Sequence, residues 1–184
     1  MNNPLRILQT LDRHLNRATE ITLFGRAALA LGYENSPPEF YASQDVDAIL
    51  PLPWLAAEDQ NMDFWDAQAK TNAELQPDGL YITHLFREEQ VILRPNWLDN
   101  RVRIPLKARN LTVFRPSTLD LILTKMARGD ANDLADIRFL LRREPLTIEQ
   151  LKETFVVARV PNVPEIRELF QGAQAKVLEL AVSS

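Results

Sequence analysis

The stretch Ser43-Gln44-Asp45-Val46-Asp47-Ala48-Ile49-Leu50 limits this chain's fold more than any other. Val46 to Leu50 reads as a buried strand, closed by Pro51 and Pro53. Aspartate is depleted in strands, yet two stand in or just before this one. Strand side chains alternate, so Asp45 and Asp47 share one face while Val46, Ala48 and Leu50 take the other. Carboxylates at i and i+2 lie about 7 Å apart along a strand. From that spacing they can bracket one hard cation, or two set about 4 Å apart. Without a cation, two like charges repel on one face. The plain alternative is a solvent-facing strand edge that carries two charges.

What precedes the pair sharpens the choice. Glu20–Phe24 reads as a short buried strand, Gly25 follows, and Arg26-Ala27-Ala28-Leu29-Ala30-Leu31 favours helix. Glycine lets the backbone come close to a ligand, and a helix N-terminus presents unpaired N–H groups, so strand, glycine and helix together make an anion site. A single glycine is equally a tight turn. The order is therefore strand, glycine, helix, loop, and a strand with two aspartates: one element suited to phosphate oxygens, the next to their metal.

The rest of the chain fills in an α/β (α+β) architecture. Leu5, Leu8, Leu11 and Leu15 recur at helical spacing, which predicts a helix over 4–16. Residues 33–44, with Pro37-Pro38, read as a loop, and 54–75 as a helix. Pro77-Asp78-Gly79 is a turn signal. Leu80–Leu85, Gln90–Leu93, Arg101–Ile104 and Leu111–Phe114 are further strand candidates. After Pro116 the pattern turns helical: Leu119, Ile122, Leu123 and Met126, then Leu134, Ile137 and Leu141. Thr147 and Gln150 form a capping box for a helix from 148, and 164–182 reads as a final helix. The expected organisation is a mixed-sheet core over residues 1–115, with a helical C-terminal region, 116–184, packed on it.

Composition narrows the chemistry. The 184 residues contain no cysteine, which excludes disulfides and cysteine zinc sites and is compatible with a reducing, cytoplasmic setting. The apolar runs are too short to span a bilayer, so no membrane partner is expected, and the charge-broken start MNNPLRILQTLDRHLNR does not read as a secretory signal. Net charge is −4, but residues 101–143 hold ten Lys/Arg against four Asp, a local +6. That suits phosphates approaching one side, or an ordinary solvated face. No G-x-x-x-x-G-K-[ST] loop, G-x-G-x-x-G fingerprint or G-x-S-x-G elbow occurs. The two histidines, His14 and His84, cannot by themselves form a histidine metal cluster. His14 falls on the polar side of the first helix. His84 lies on a strand candidate and reads as a satisfied core histidine or, second, a cleft residue.

Together these motifs resemble the nucleotidyltransferase superfamily, and within it the bacterial AbiEii/MenT-like proteins and related nucleotidyltransferase-like families of unknown function. The h-G-[GS] turn and D-h-[DE] pair of those families correspond to Leu23-Phe24-Gly25-Arg26 and Asp45-Val46-Asp47. The AbiEii-like lysine, with its later D-x-x-D, corresponds to Lys125 in Leu123-Thr124-Lys125-Met126-Ala127-Arg128 and to Asp133-Leu134-Ala135-Asp136. The resemblance spans residues 18–142. It implies Mg²⁺ (or Mn²⁺) at Asp45 and Asp47 with Asp133 in support, and catalytic roles for Asp45, Asp47, Lys125 and Asp136. It also implies that Gly25, Arg26, Lys125 and Arg128 contact the nucleotide. The activity implied is transfer of a nucleoside monophosphate from an NTP to an RNA, protein or small-molecule acceptor, in some relatives as the toxin of a toxin–antitoxin pair with an antitoxin protein. Arg26 stands where these families prefer glycine or serine. The gap from Gly25 to Asp45 is longer than usual, and the third carboxylate of a later strand has no clear counterpart. Those departures keep open a second reading, a catalytically inactive module that binds nucleotide or a partner protein.

Overall fold

The computed structural model describes residues 2–183, without the side chains of Glu58 and Gln60. The chain divides into two compact units: Met1–Arg87 with Arg101–Arg115, and Glu88–Asn100 with Pro116–Ser184.

The first unit is the α/β part. Helix α1 (Asn3–His14) starts where the Asn2 side chain accepts the Leu5 N–H at 3.0 Å, with Pro4 in its first turn. Strand β1 (Thr19–Phe24) runs directly into α2 (Gly25–Gly32). The segment expected to be a loop contains a short helix, α3 (Pro38–Tyr41): Pro37 caps it and Pro38 pre-sets its first turn. Strand β2 (Asp45–Leu50) follows. The helix expected over 54–75 is two helices, α4 (Leu52–Leu55) and α5 (Glu58–Leu75), broken at Ala56-Ala57. A 3₁₀ turn and the left-handed Gly79 lead into β3 (Tyr81–Arg87). Strands β4 (Val102–Ile104) and β5 (Leu111–Arg115) complete a five-stranded sheet of order β3-β2-β1-β5-β4. β1 pairs antiparallel with β2 and parallel with β5, while β2 pairs parallel with β3, so the sheet is mixed, as expected of a nucleotidyltransferase-like core.

Two polar devices hold this sheet in place. The Asp12 carboxylate, on α1, accepts the N–H groups of Arg109, Asn110 and Leu111 at 2.7–3.1 Å and so fixes the start of β5. Burial works to raise the Asp12 pKa, but these three donors outweigh it and hold the carboxyl below its ordinary value. On the other side, Asn72 of α5 accepts the Ile82 N–H at 2.7 Å and donates to the Ile82 carbonyl at 2.9 Å. Gln68 donates to the same carbonyl at 3.0 Å. Leu23, Val46, Ala48 and Ile82 are fully buried on the sheet face opposite Asp45 and Asp47.

The second unit is helical: α6 (Thr118–Lys125), α7 (Ala131–Arg143), α8 (Ile148–Val157) and α9 (Pro164–Ser183). The capping box of α8 is present, with Thr147 and Gln150 satisfying each other's backbone N–H. Gln90–Leu93 is not a strand of the sheet. Residues Glu88–Gln90 form a 3₁₀ turn, and Leu93 makes an isolated bridge to Arg159. A short apolar run does not say whether it is strand or core filler, and Val91, Ile92 and Leu93 are buried without extending a ladder. Arg94 accounts for their company. Its guanidinium reaches both Asp120 oxygens (2.8 and 3.1 Å) and Ser117, and its N–H also donates to Asp120, which is fully buried. That bidentate contact ties the 88–100 segment to the start of α6.

Candidate metal centre

Asp45 and Asp47 enter the sheet between β1 and β3. The antiparallel register places Phe24 directly opposite Asp47, so the β1–α2 junction lies beside that carboxylate. Gly25 there has φ +64°, a conformation that costs side-chain-bearing residues about 1–2 kcal/mol. A Cβ on Gly25 would stand 3.2 Å from Asp47 Oδ2. Glycine is therefore required twice, for the turn and for the closeness, and the predicted pairing of glycine turn with aspartate strand is realised in space.

On the other flank a register shift lies between Val46 and Ala48: Val46 pairs with Ile82, whereas Ala48 pairs with Leu85. Thr83 and His84 together face Asp47, one residue more than a regular strand would supply. Such a bulge re-aims side chains. His84 is consequently not a core histidine. It is 60% exposed at the side chain, and its Nδ1 lies 2.9 Å from Asp47 Oδ1. Regular alternation would have put His84 on the buried face with Ile82. The sequence signal for the exception is the polar pair Thr83-His84 between apolar Ile82 and Leu85.

Asp45, Asp47 and His84 each offer a ligand atom, and these atoms lie within 4.8 Å of one another. Ser43 Oγ donates to Asp45 Oδ1 at 3.0 Å. Burial raises the Asp47 pKa, the charge of Asp45 raises it further, and the contact with His84 only partly offsets the two. Among the described residues neither aspartate forms an ion pair with a lysine or arginine. Two carboxylates and an imidazole, mutually close and with one carboxylate held reluctant to ionise, form a donor set that a divalent cation fits: it would supply the positive charge that the protein does not.

The remaining predicted residues have partners of their own. Arg26, first after Gly25, has its guanidinium 5.7 Å from the Phe40 ring centroid. Lys125, Arg128, Asp133 and Asp136 gather in the helical unit. Lys125 Nζ donates to Asp136 at 2.6 Å and to Asp133 at 3.3 Å, and Arg128 makes two bonds to Asp133 at 3.0 and 3.1 Å. Lys125 is 6% exposed, Asp133 1% and Asp136 2%, so this network is buried. Much of the basic stretch 101–143 is likewise engaged locally. Arg101 packs on Phe114 (4.3 Å) and bonds Thr22 and Glu20, Arg109 donates to the Leu15 carbonyl, and Arg115 bonds the Gly32 carbonyl over Tyr33.

A mixed sheet carrying a glycine turn against a D-x-D strand defines the nucleotidyltransferase class. Residues 5–169 match the family described as Nucleotidyltransferase of unknown function (DUF6036). The chain belongs to that family. No curated protein and no solved structure matches it significantly. No helix among the described residues is long and apolar enough to cross a membrane.

Proposed function

We propose that the chain is a metal-dependent nucleotidyltransferase that moves a nucleoside monophosphate from an NTP to an acceptor hydroxyl. The observation that carries this reading is the convergence of Asp45, Asp47 and the Gly25 turn, with Oδ2 of Asp47 within 3.2 Å of where a Cβ on Gly25 would stand. Asp45 and Asp47 would hold Mg²⁺ or Mn²⁺, which would neutralise the phosphates and stabilise the leaving pyrophosphate. The Gly25 backbone, bare of a Cβ, would let phosphate oxygens approach the first N–H groups of α2, with Arg26 beside them. Roles for Lys125, Asp133, Asp136 and Arg128 rest on the AbiEii-like resemblance alone. An RNA, protein or small-molecule acceptor, and a toxin role with an antitoxin partner, follow from the AbiEii/MenT-like resemblance.

The test is thermal unfolding with each NTP, with and without Mg²⁺ or Mn²⁺, on wild type and Asp47→Asn. A ligand at 100 times its dissociation constant adds about 2.7 kcal/mol to the native state. The expected result is a metal-dependent rise in Tm for wild type that vanishes in Asp47→Asn, followed by pyrophosphate release once an acceptor is supplied. Binding without turnover on any acceptor would instead favour an inactive nucleotide-binding module, for which Arg26 in the glycine turn is the motivating departure. No shift with any nucleotide would overturn the proposal.

A further inference from the structure

We infer that His84 completes the cation site as a nitrogen ligand, so that the site selects a divalent transition cation such as Mn²⁺ over Mg²⁺. This rests on reading Asp45 and Asp47 as a cation site and adds which cation they take.

Three features place the imidazole there by construction. The bulge opposite Asp47 turns His84 from the buried face to the carboxylate face. The ring is then oriented rather than loose: it stacks on Phe86 at 5.8 Å between centroids and 17° between planes, and Thr83 Oγ1 lies 3.2 Å from Nδ1. Phe86 is in turn met edge-on by Phe24, whose neighbour is Gly25. Finally, the strand itself is fastened two residues earlier, where Asn72 and Gln68 grip Ile82. An exposed histidine with no task would not need its strand bulged, its ring stacked and its base clamped.

The donor set decides the ion. Mg²⁺ demands oxygen ligands and near-ideal octahedral geometry, and it keeps its waters in preference to an imidazole. Carboxylates serve Mg²⁺ and Mn²⁺ alike, whereas a nitrogen donor gains affinity along the first-row transition series, with Mn²⁺ at its weak end and Mg²⁺ outside it. A neutral imidazole also adds no negative charge to the two carboxylates, which limits the site's hold on a hard ion that binds mainly by charge.

Mn²⁺ serves as both probe and ligand in the test. The full chain is loaded with Mn²⁺ alone, and with Mn²⁺ plus each NTP, and its electron spin echo modulation is recorded. Competition against Mg²⁺ then gives the preference ratio. Wild type is expected to show a directly bonded ¹⁴N coupling and to prefer Mn²⁺. His84→Asp should lose the nitrogen coupling and narrow the Mn²⁺/Mg²⁺ ratio about tenfold or more, the scale on which ligand-shell changes alter affinity. The substituted side chain is largely exposed, and an unchanged Tm confirms that the variant folds. Mn²⁺ binding that Asp47→Asn abolishes, without nitrogen coupling in wild type and with an unchanged ratio in His84→Asp, would overturn the inference and leave the aspartate site standing. No binding of either ion, with or without nucleotide, would overturn both.

Discussion

The molecule contains two pairs of aspartates, and the protein treats them in opposite ways. Asp133 and Asp136 are buried almost completely, and Lys125 and Arg128 match their charge within hydrogen-bond distance. Asp45 and Asp47 are left partly open and push against each other, with Ser43 and His84 as hydrogen-bond partners. The first pair has its counter-charge built in; the second, beside a glycine backbone, is where the proposed cation would arrive. The contrast teaches that a D-x-D and a D-x-x-D cannot be weighed by spacing alone; what separates them is whether the chain itself provides the counter-charge.

The most forceful way to break this contrast is Lys125→Met. It removes the cation that donates to both buried carboxylates, and breaking a buried ion pair from one side costs about 3–5 kcal/mol. Urea unfolding should show a loss of that size; a loss below about 1 kcal/mol would remove the network from the list of structural supports. A carboxylate satisfied by backbone N–H groups offers the next comparison. Asp12→Ala should cost about 2 kcal/mol, since it strands donors at the start of β5. Because the folded pKa of Asp12 is depressed, its contribution is present above the unfolded value and fades as pH falls through the folded one. The wild-type advantage over Asp12→Ala should therefore shrink on acidification below about pH 4. Gly25→Ala comes third, at about 1.5 kcal/mol, from the left-handed backbone and the crowding of Asp47. Smallest, and opposite in sign, is Asp47→Asn without metal. It removes a repulsion worth about 0.5–1 kcal/mol even at the dielectric constant of water and should raise Tm slightly. The raised pKa gives the pH sense: the cost of an ionised Asp47 is present at neutral pH and is relieved as pH falls through the folded pKa, so the variant's advantage should vanish in acid. A lowered Tm for Asp47→Asn at neutral pH would mean that the aspartate is structural after all.

Sequence reasoning went far where one local rule decides the outcome. Alternation put Asp45 and Asp47 on one face, helical spacing found α1, α6 and α7, and the Thr147–Gln150 box marked the start of α8. It failed where a decision is made between segments. Val91-Ile92-Leu93 has strand composition, but Arg94 commits it to Asp120, a partner 26 residues away that no local pattern announces. His84 was misjudged for a related reason: a one-residue register slip between β2 and β3 reverses which face a strand residue occupies. The motif that picked out Lys125 and Asp133-Leu134-Ala135-Asp136 carries no measure of burial, because spacing says which side of a helix a residue is on and not how deeply that side is covered.

The amides that grip Ile82 have one more consequence. β3 is an outer strand of the sheet, and an outer strand exposes free N–H and C=O groups on which another chain can build. At Ile82 both groups are already spent on Asn72 and Gln68, while the opposite border, β4, is only three residues long. The sheet thus ends on one side in a strand with an occupied rung and on the other in a stub, which shortens the free edge on which a second copy could pair.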